Sequence, residues 1–230
     1  MLEDERLFER MIVDEGILLA VSPRLFFEVL LRRARRELER GLFTIERRGR
    51  QKVVLFDAKQ VVDLLSQTSV RAYLSSMLAS FTRTNSMTVA LPVSKGVWHR
   101  IRVSDLDVDS LIRYAQALDG ERRFWAYRRI ADACLFLTGV FPESLESPRG
   151  YAGSAQSRLH RKSSLLQRLE DHEAYGRAFY RLAAEHRVAR IQGLDSVLTT
   201  LSESFVLARK PLTFLAERYL SLRKGRLFDE

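Results

Sequence analysis

The stretch "FWAYRRIADACLFLTGVFPES", Phe124–Ser144, decides how the fold is read. Phe124, Tyr127, Ala131, Cys134 and Thr138 recur at three- and four-residue intervals, the period of an α-helix, and Ile130, Leu135, Leu137 and Phe141 widen the stripe. So broad an apolar surface predicts a helix from Glu121 to Val140, buried on most sides toward its end and stopped before Pro142. Arg128 and Arg129 stand four and three residues before Asp132, within reach of it along the helix. A carboxylate inside a core needs such a partner, because an unpaired buried charge costs several kcal/mol. The expectation is a structural ion pair rather than a reaction centre.

Upstream, "SPRLFFEVLLRRARRELER" carries Ser22 as N-cap and Pro23 at the first helical position. Phe27, Leu30, Leu31, Ala34 and Leu38 form its buried face, with Glu28, Arg32, Arg35 and Glu39 opposite, and Gly41 ends it. A shorter helix is expected over residues 3–13. "FTIERRGRQKVVLFD" changes period, with β-branched and aromatic residues on both sides of a turn at Arg48–Gln51, which predicts a β-hairpin. Asp57 and then Thr68 or Ser69 are positioned to cap two successive helices. Residues 84–104 read as irregular or extended, with one strand in "KGVWHRIRV": Val97, His99, Ile101 and Val103 share one face, and Trp98, Arg100 and Arg102 the other. Asp107 caps a helix to Leu118 and Gly120 interrupts. Ser144–Arg161 is a loop, and three amphipathic helices follow, the last opened by Pro211. The fold class is mainly α, multi-helix, with a small β-hairpin and strand in the N-terminal half. The 230 residues form one domain; an internal boundary, if there is one, falls near 104, between an α part with a hairpin (1–104) and an all-α part (105–230).

The segments "FDAKQVVDLLSQTSVRAYLSSMLASFTR", "HRIRVSDLDVDSLI", "YRRIADACLFLTGVFPE" and "AYGRAFYRLAAEH" together resemble uncharacterised bacterial helical proteins of similar length. These share the pattern Y-R-x-I/L-A/G-D-x-x-L-F-L/V-S/T-G-x-F-P-E, and the resemblance spans the chain from Ser22 to His186. It implies no activity, catalytic residue or ligand. The basic segment from Pro148 to Lys162 is longer than the pattern.

Composition narrows the function classes. The only cysteine, Cys134, sits in the apolar run, which excludes a disulfide framework and predicts an inert thiol. The charged opening "MLEDERLFERM" is unlike a signal peptide, and the longest apolar run, Ala133–Phe141, is far short of the roughly 20 residues that span a bilayer. A cytoplasmic protein without membrane contact is expected. None of the four histidines has an acidic residue or another histidine three or four positions away, so no metal ligand set is expected. GxSxG, GxxxxGK and GxGxxG are all missing, and helix capping accounts for the acids of "SDLDVDS". No catalytic residue and no cofactor is expected.

Charge is the feature with content. Lysine and arginine number 38 against 29 acids, a formal charge of +9, and all but six of the cations are arginine. Codon bias explains an arginine excess; so does phosphate recognition, since the guanidinium fork holds phosphate oxygens two at a time. Helical arginines such as Arg32 and Arg33 have carboxylates four residues away. Arg47, Arg48, Arg50 and Lys52 at the hairpin tip, and Lys95, Arg100 and Arg102 beside Trp98, lack that local pairing. Those eight residues are the expected nucleic-acid-binding set, the cations on phosphates and the indole on a base. DNA or RNA is the expected partner. The competing reading is a protein-interaction or scaffold module, self-associating or docked on another chain through its C-terminal helices.

Overall fold

The computed structural model describes residues 22–41, 44–48, 51–55, 57–83, 86–94, 97–145, 165–220 and 228. The helix expected over 3–13 and most of the loop expected over Ser144–Arg161 lie outside them. The chain divides into two compact units. One holds the described residues up to Arg83 and those from Lys210 onward; the other runs from Thr84 to Arg209.

In the first unit, α1 spans Pro23–Arg40. It starts as its sequence dictates: the Ser22 hydroxyl accepts from the Leu25 N–H at 3.3 Å, and Pro23, which has no N–H, occupies a position where none is needed. Phe27, Leu30, Leu31, Ala34 and Leu38 are buried with Phe26 and Val29, against α2 (Ala58–Ser66) and α3 (Thr68–Ser80). Each such Leu or Phe contributes about 1.5–3 kcal/mol of apolar burial. Between α1 and α2 runs an antiparallel ribbon of β1 (Thr44–Arg48) and β2 (Gln51–Leu55), the expected hairpin. Asp57 precedes α2 but makes no capping hydrogen bond; its carboxylate pairs with Lys210 instead.

The second unit opens with β3 (Ser86–Ser94) and β4 (Val97–Ser104), paired antiparallel. The sequence pointed to one strand here, and the structure has two. Pro92, which donates no ladder bond, made "SMTVALPVS" a poor strand candidate. The chain accommodates it with a register irregularity between Pro92 and Ser94. Then come α4 (Val108–Gln116) and α5 (Gly120–Val140), with Gly120 in the left-handed region at φ +55°. A 3₁₀ turn, Pro142–Leu145, follows. Every residue from Ile130 to Val140 is buried, so α5 is the centre of this unit. It packs on α4 and on α6 (Leu165–Glu185), which also packs on α8 (Asp195–Glu203). The five-residue α7 (Arg187–Ile191) is capped by His186, whose Nδ1 accepts from the Val188 N–H at 3.2 Å.

The last helix, α9, runs Phe205–Arg218 and starts six residues before Pro211, which lies inside it. The break falls at Ser204, which closes α8 with its N–H on the Thr200 carbonyl at 2.9 Å and starts α9 by accepting from the Ala208 N–H at 2.8 Å. Pro211 forfeits one i→i−4 bond, and Leu212, Leu215 and Ala216, all buried, hold the helix together beyond it. Among the described residues the architecture is mainly α with two small antiparallel ribbons in the N-terminal half.

Candidate nucleic-acid interface

The expected binding residues fall on the two ribbons, and therefore in different units. In the first ribbon Arg47 pairs in register with Lys52 and Arg48 with Gln51, so three of the cations flank the turn; Glu46, opposite Val53, is the one acid in either strand. In the second, Trp98 lies opposite Pro92, Arg100 opposite Ala90 and Arg102 opposite Thr88. Arg50 and Lys95 lie outside the described residues, as does the terminal "RKGR".

Arg100 and Arg102 are exposed, as are Ala90, Thr88 and Ser86 on the partner strand. Arg102 donates to the Ser86 hydroxyl at 3.0 Å, a neutral acceptor that leaves its charge in place. No carboxylate pairs with either arginine among the described residues. The helices differ. Arg32 and Arg71 share Glu28 at 2.9 Å each, Arg33 meets Glu37 at 2.9 Å, and Arg209 meets Glu173 at 3.0 Å. Local sequence explains the contrast: between Arg83 and Ser104 there is no acid at all, whereas on α1 carboxylates recur one helical turn from the guanidinium groups.

The foot of the second ribbon is fixed. Val103 is buried, and the Ser104 N–H donates to the Ser110 hydroxyl at 3.3 Å. Asp107 caps α4 by accepting from the Ser110 N–H at 3.2 Å, and burial raises its pKa above the usual carboxylate value. Arg129 reaches from α5 to Asp105 at 3.0 Å, tying the strand exit to the central helix. A two-stranded ribbon is marginal alone; here its base is clamped at both Val103 and Asp105.

Asp132, 3% exposed, is held inside the second unit. Its Oδ1 accepts from the Tyr180 hydroxyl of α6 at 2.8 Å, and the Arg128 Nε lies 3.7 Å from Oδ2. Arg128 is one of the two arginines within reach along the helix, and the other, Arg129, reaches Asp105. Tyr180 is 48 residues away, so no local spacing announces it. Burial pushes the Cys134 thiol far above its ordinary value, which keeps it protonated and unreactive. Burial also lowers the pKa of His172, holding the ring neutral while its Nδ1 lies 2.8 Å from the Arg168 carbonyl.

Among the described residues no group of three His, Cys, Asp or Glu side chains is placed to hold a metal ion. None of the described helices is long and apolar enough to cross a membrane. Sequence reasoning passed over Arg122 and Trp125, which with Arg129 share one face of α5 beside the second ribbon. Their three- and four-residue spacing is the signal, but it lies on the polar flank of a helix whose apolar stripe dominates the pattern. Comparison of the chain with family models, with curated proteins and with solved structures finds no match in any of the three.

Proposed function

We propose that this chain is a cytoplasmic, non-catalytic nucleic-acid-binding protein that holds phosphates with ribbon β3–β4, the tip of ribbon β1–β2 supplying further cations. One observation carries the reading: Arg32, Arg33, Arg71 and Arg209 on the helices each meet a carboxylate, whereas Arg100 and Arg102 are exposed side by side on an acid-free strand with no carboxylate partner among the described residues. Uncancelled guanidinium groups on a strand held at its base are what a polyanion binds, and Trp98, two positions before Arg100, adds an indole to the same strand. The ribbon base is the support: Val103 and Asp105 hold the strand, so its arginines bind without first being ordered.

The test is a fluorescence-anisotropy titration with labelled DNA and RNA at two salt concentrations. Binding at about 50 mM salt should weaken steeply by about 200 mM. Arg100→Glu with Arg102→Glu should lower affinity and flatten the log–log salt slope by about 2, roughly one for each phosphate that is no longer neutralised. Arg48→Glu with Arg50→Glu should act similarly without unfolding the chain. No binding at about 50 mM salt sinks the proposal. Capture of a protein partner that withstands high salt would favour docking through the exposed Tyr175, Leu182 and Ile191 of α6 and α7 instead.

A further inference from the structure

At the foot of ribbon β3–β4 lies a cavity of about 330 Å³, bounded by the ribbon, α4 and α5. Met87 and Val103 come from the ribbon, Leu111 and Tyr114 from α4, and Trp125 from α5. The volume is at the lower end of the range for small-molecule sites, about 300–1,000 Å³, which suits one ring system. The cavity reaches solvent where Met87 is 50% and Trp125 44% exposed.

The indole is positioned. The Phe124 ring stands at 72° to it with the centroids 5.1 Å apart, and the Arg128 guanidinium lies 4.8 Å from its ring centroid. Arg128 does not line the cavity, whereas Trp125 does, so the ring presents surface there that the guanidinium leaves bare. Three charges border the space: Arg129 and Asp105, which satisfy one another at 3.0 Å, and Arg122, exposed one helical turn before Ala126. The wall chemistry is thus an apolar slot that includes the indole, and the rim carries one positive charge in excess. An aromatic ring bearing a negative group fits both halves.

We propose that this cavity receives one unstacked base of a single-stranded nucleic acid, its ring against Trp125 and the adjoining phosphate on Arg122. The inference rests on the polyanion-binding reading of the ribbon and names its ligand as a single strand. Val103 and Met87 line the cavity, on the face of the ribbon opposite the exposed Arg102. A strand with phosphates on Arg100 and Arg102 therefore has to turn round the ribbon edge to place a base there, a path open to a flexible single strand and closed to a stiff duplex. In a duplex the bases are stacked inside and must be extruded to enter; in a single strand they are already available.

The experiment compares a short labelled oligo(dT) with a duplex of equal length, on the full chain at about 50 mM salt. Trp125→Ala should weaken oligo(dT) binding about 5- to 100-fold and leave the duplex unchanged, with Trp125→Phe recovering most of the loss. Since the chain has two tryptophans, Trp98→Phe leaves Trp125 as the sole indole, and oligo(dT), at concentrations where anisotropy shows this variant saturated, should quench its emission. Arg122→Glu should weaken oligo(dT) more than duplex. If Trp125→Ala leaves oligo(dT) affinity unchanged, or lowers both affinities equally, or the sole indole does not respond, the cavity inference fails. In those cases loss of binding in the Arg100→Glu/Arg102→Glu variant keeps the ribbon reading intact. If neither nucleic acid binds the wild-type chain, both fail together.

Discussion

Replacing Tyr180 by Phe tests how the buried Asp132 is held. The hydroxyl donates to Asp132 Oδ1 at 2.8 Å, with Tyr180 fully buried and Asp132 3% exposed. Phe keeps the ring and its tilted contact with Phe205 at 6.1 Å, so the change removes one oxygen and little packing. A hydrogen bond to a charged group contributes about 1.5–3 kcal/mol net. The 3.7 Å approach of Arg128, itself partly exposed, is too long for a hydrogen bond of its own. A destabilisation of about 2 kcal/mol should follow, lowering the urea midpoint by about 1 M for an m-value of about 2 kcal/mol/M. The assay is selective: Trp98 and Trp125, the two tryptophans, both lie between Thr84 and Arg209, so indole emission reports unfolding of that unit alone. A cycle with Asp132→Asn and the double variant should return a coupling of about 1 kcal/mol or more. A Tyr180→Phe cost under about 0.5 kcal/mol, within the range of an ordinary surface substitution, would refute the argument.

Two further expectations concern packing and charge. Helix propensity alone favours Gly176→Ala by about 1 kcal/mol, but a Cβ there falls inside the van der Waals radius of the buried Phe205 ring. Overpacking at about 1–3 kcal/mol should win, so the variant should unfold at lower urea, and Phe205→Leu should relieve it. Glu28→Gln should destabilise the other unit by about 1.5–3 kcal/mol, since it strips the carboxylate from the nearly buried Arg71. Burial pushes the pKa of Glu28 up, but Arg71 and Arg32 outweigh it and the net shift is downward from 4.5. A carboxylate with a lowered folded pKa stabilises fully above the unfolded value. That contribution drains away as pH falls below 4.5 through the folded value, and the glutamine variant, followed by circular dichroism, should lack this slope.

The helices were legible because their signals are local. Ser22–Pro23 and Asp107 mark two starts by side-chain chemistry alone, and the stripe from Phe124 to Phe141 carries its own period. What failed was non-local. Asp57 looks like a cap until Lys210, 153 residues on, competes for its carboxylate. Pro211 looks like a helix start until the apolar burial of Leu212 and Leu215 outweighs one missing hydrogen bond. Strand β3 was hidden because Pro92 argues against a ladder that a bulge rescues. For the candidate interface, sequence located both basic ribbons but not the Trp125 cavity, which needs β3, α4 and α5 brought together.

The break between units inside α9 also bears on how the protein is made. Neighbouring cations look opposite ways along the sequence: Arg209 pairs with Glu173 in the Thr84–Arg209 unit, and Lys210 with Asp57 in the other. On the ribosome, the internal unit is contiguous and is free to form as soon as it emerges, while in the flanking one α1–α3 can pack on one another but Asp57 lacks its Lys210 partner until the C-terminal residues emerge. The unit that is begun first is therefore the one completed last.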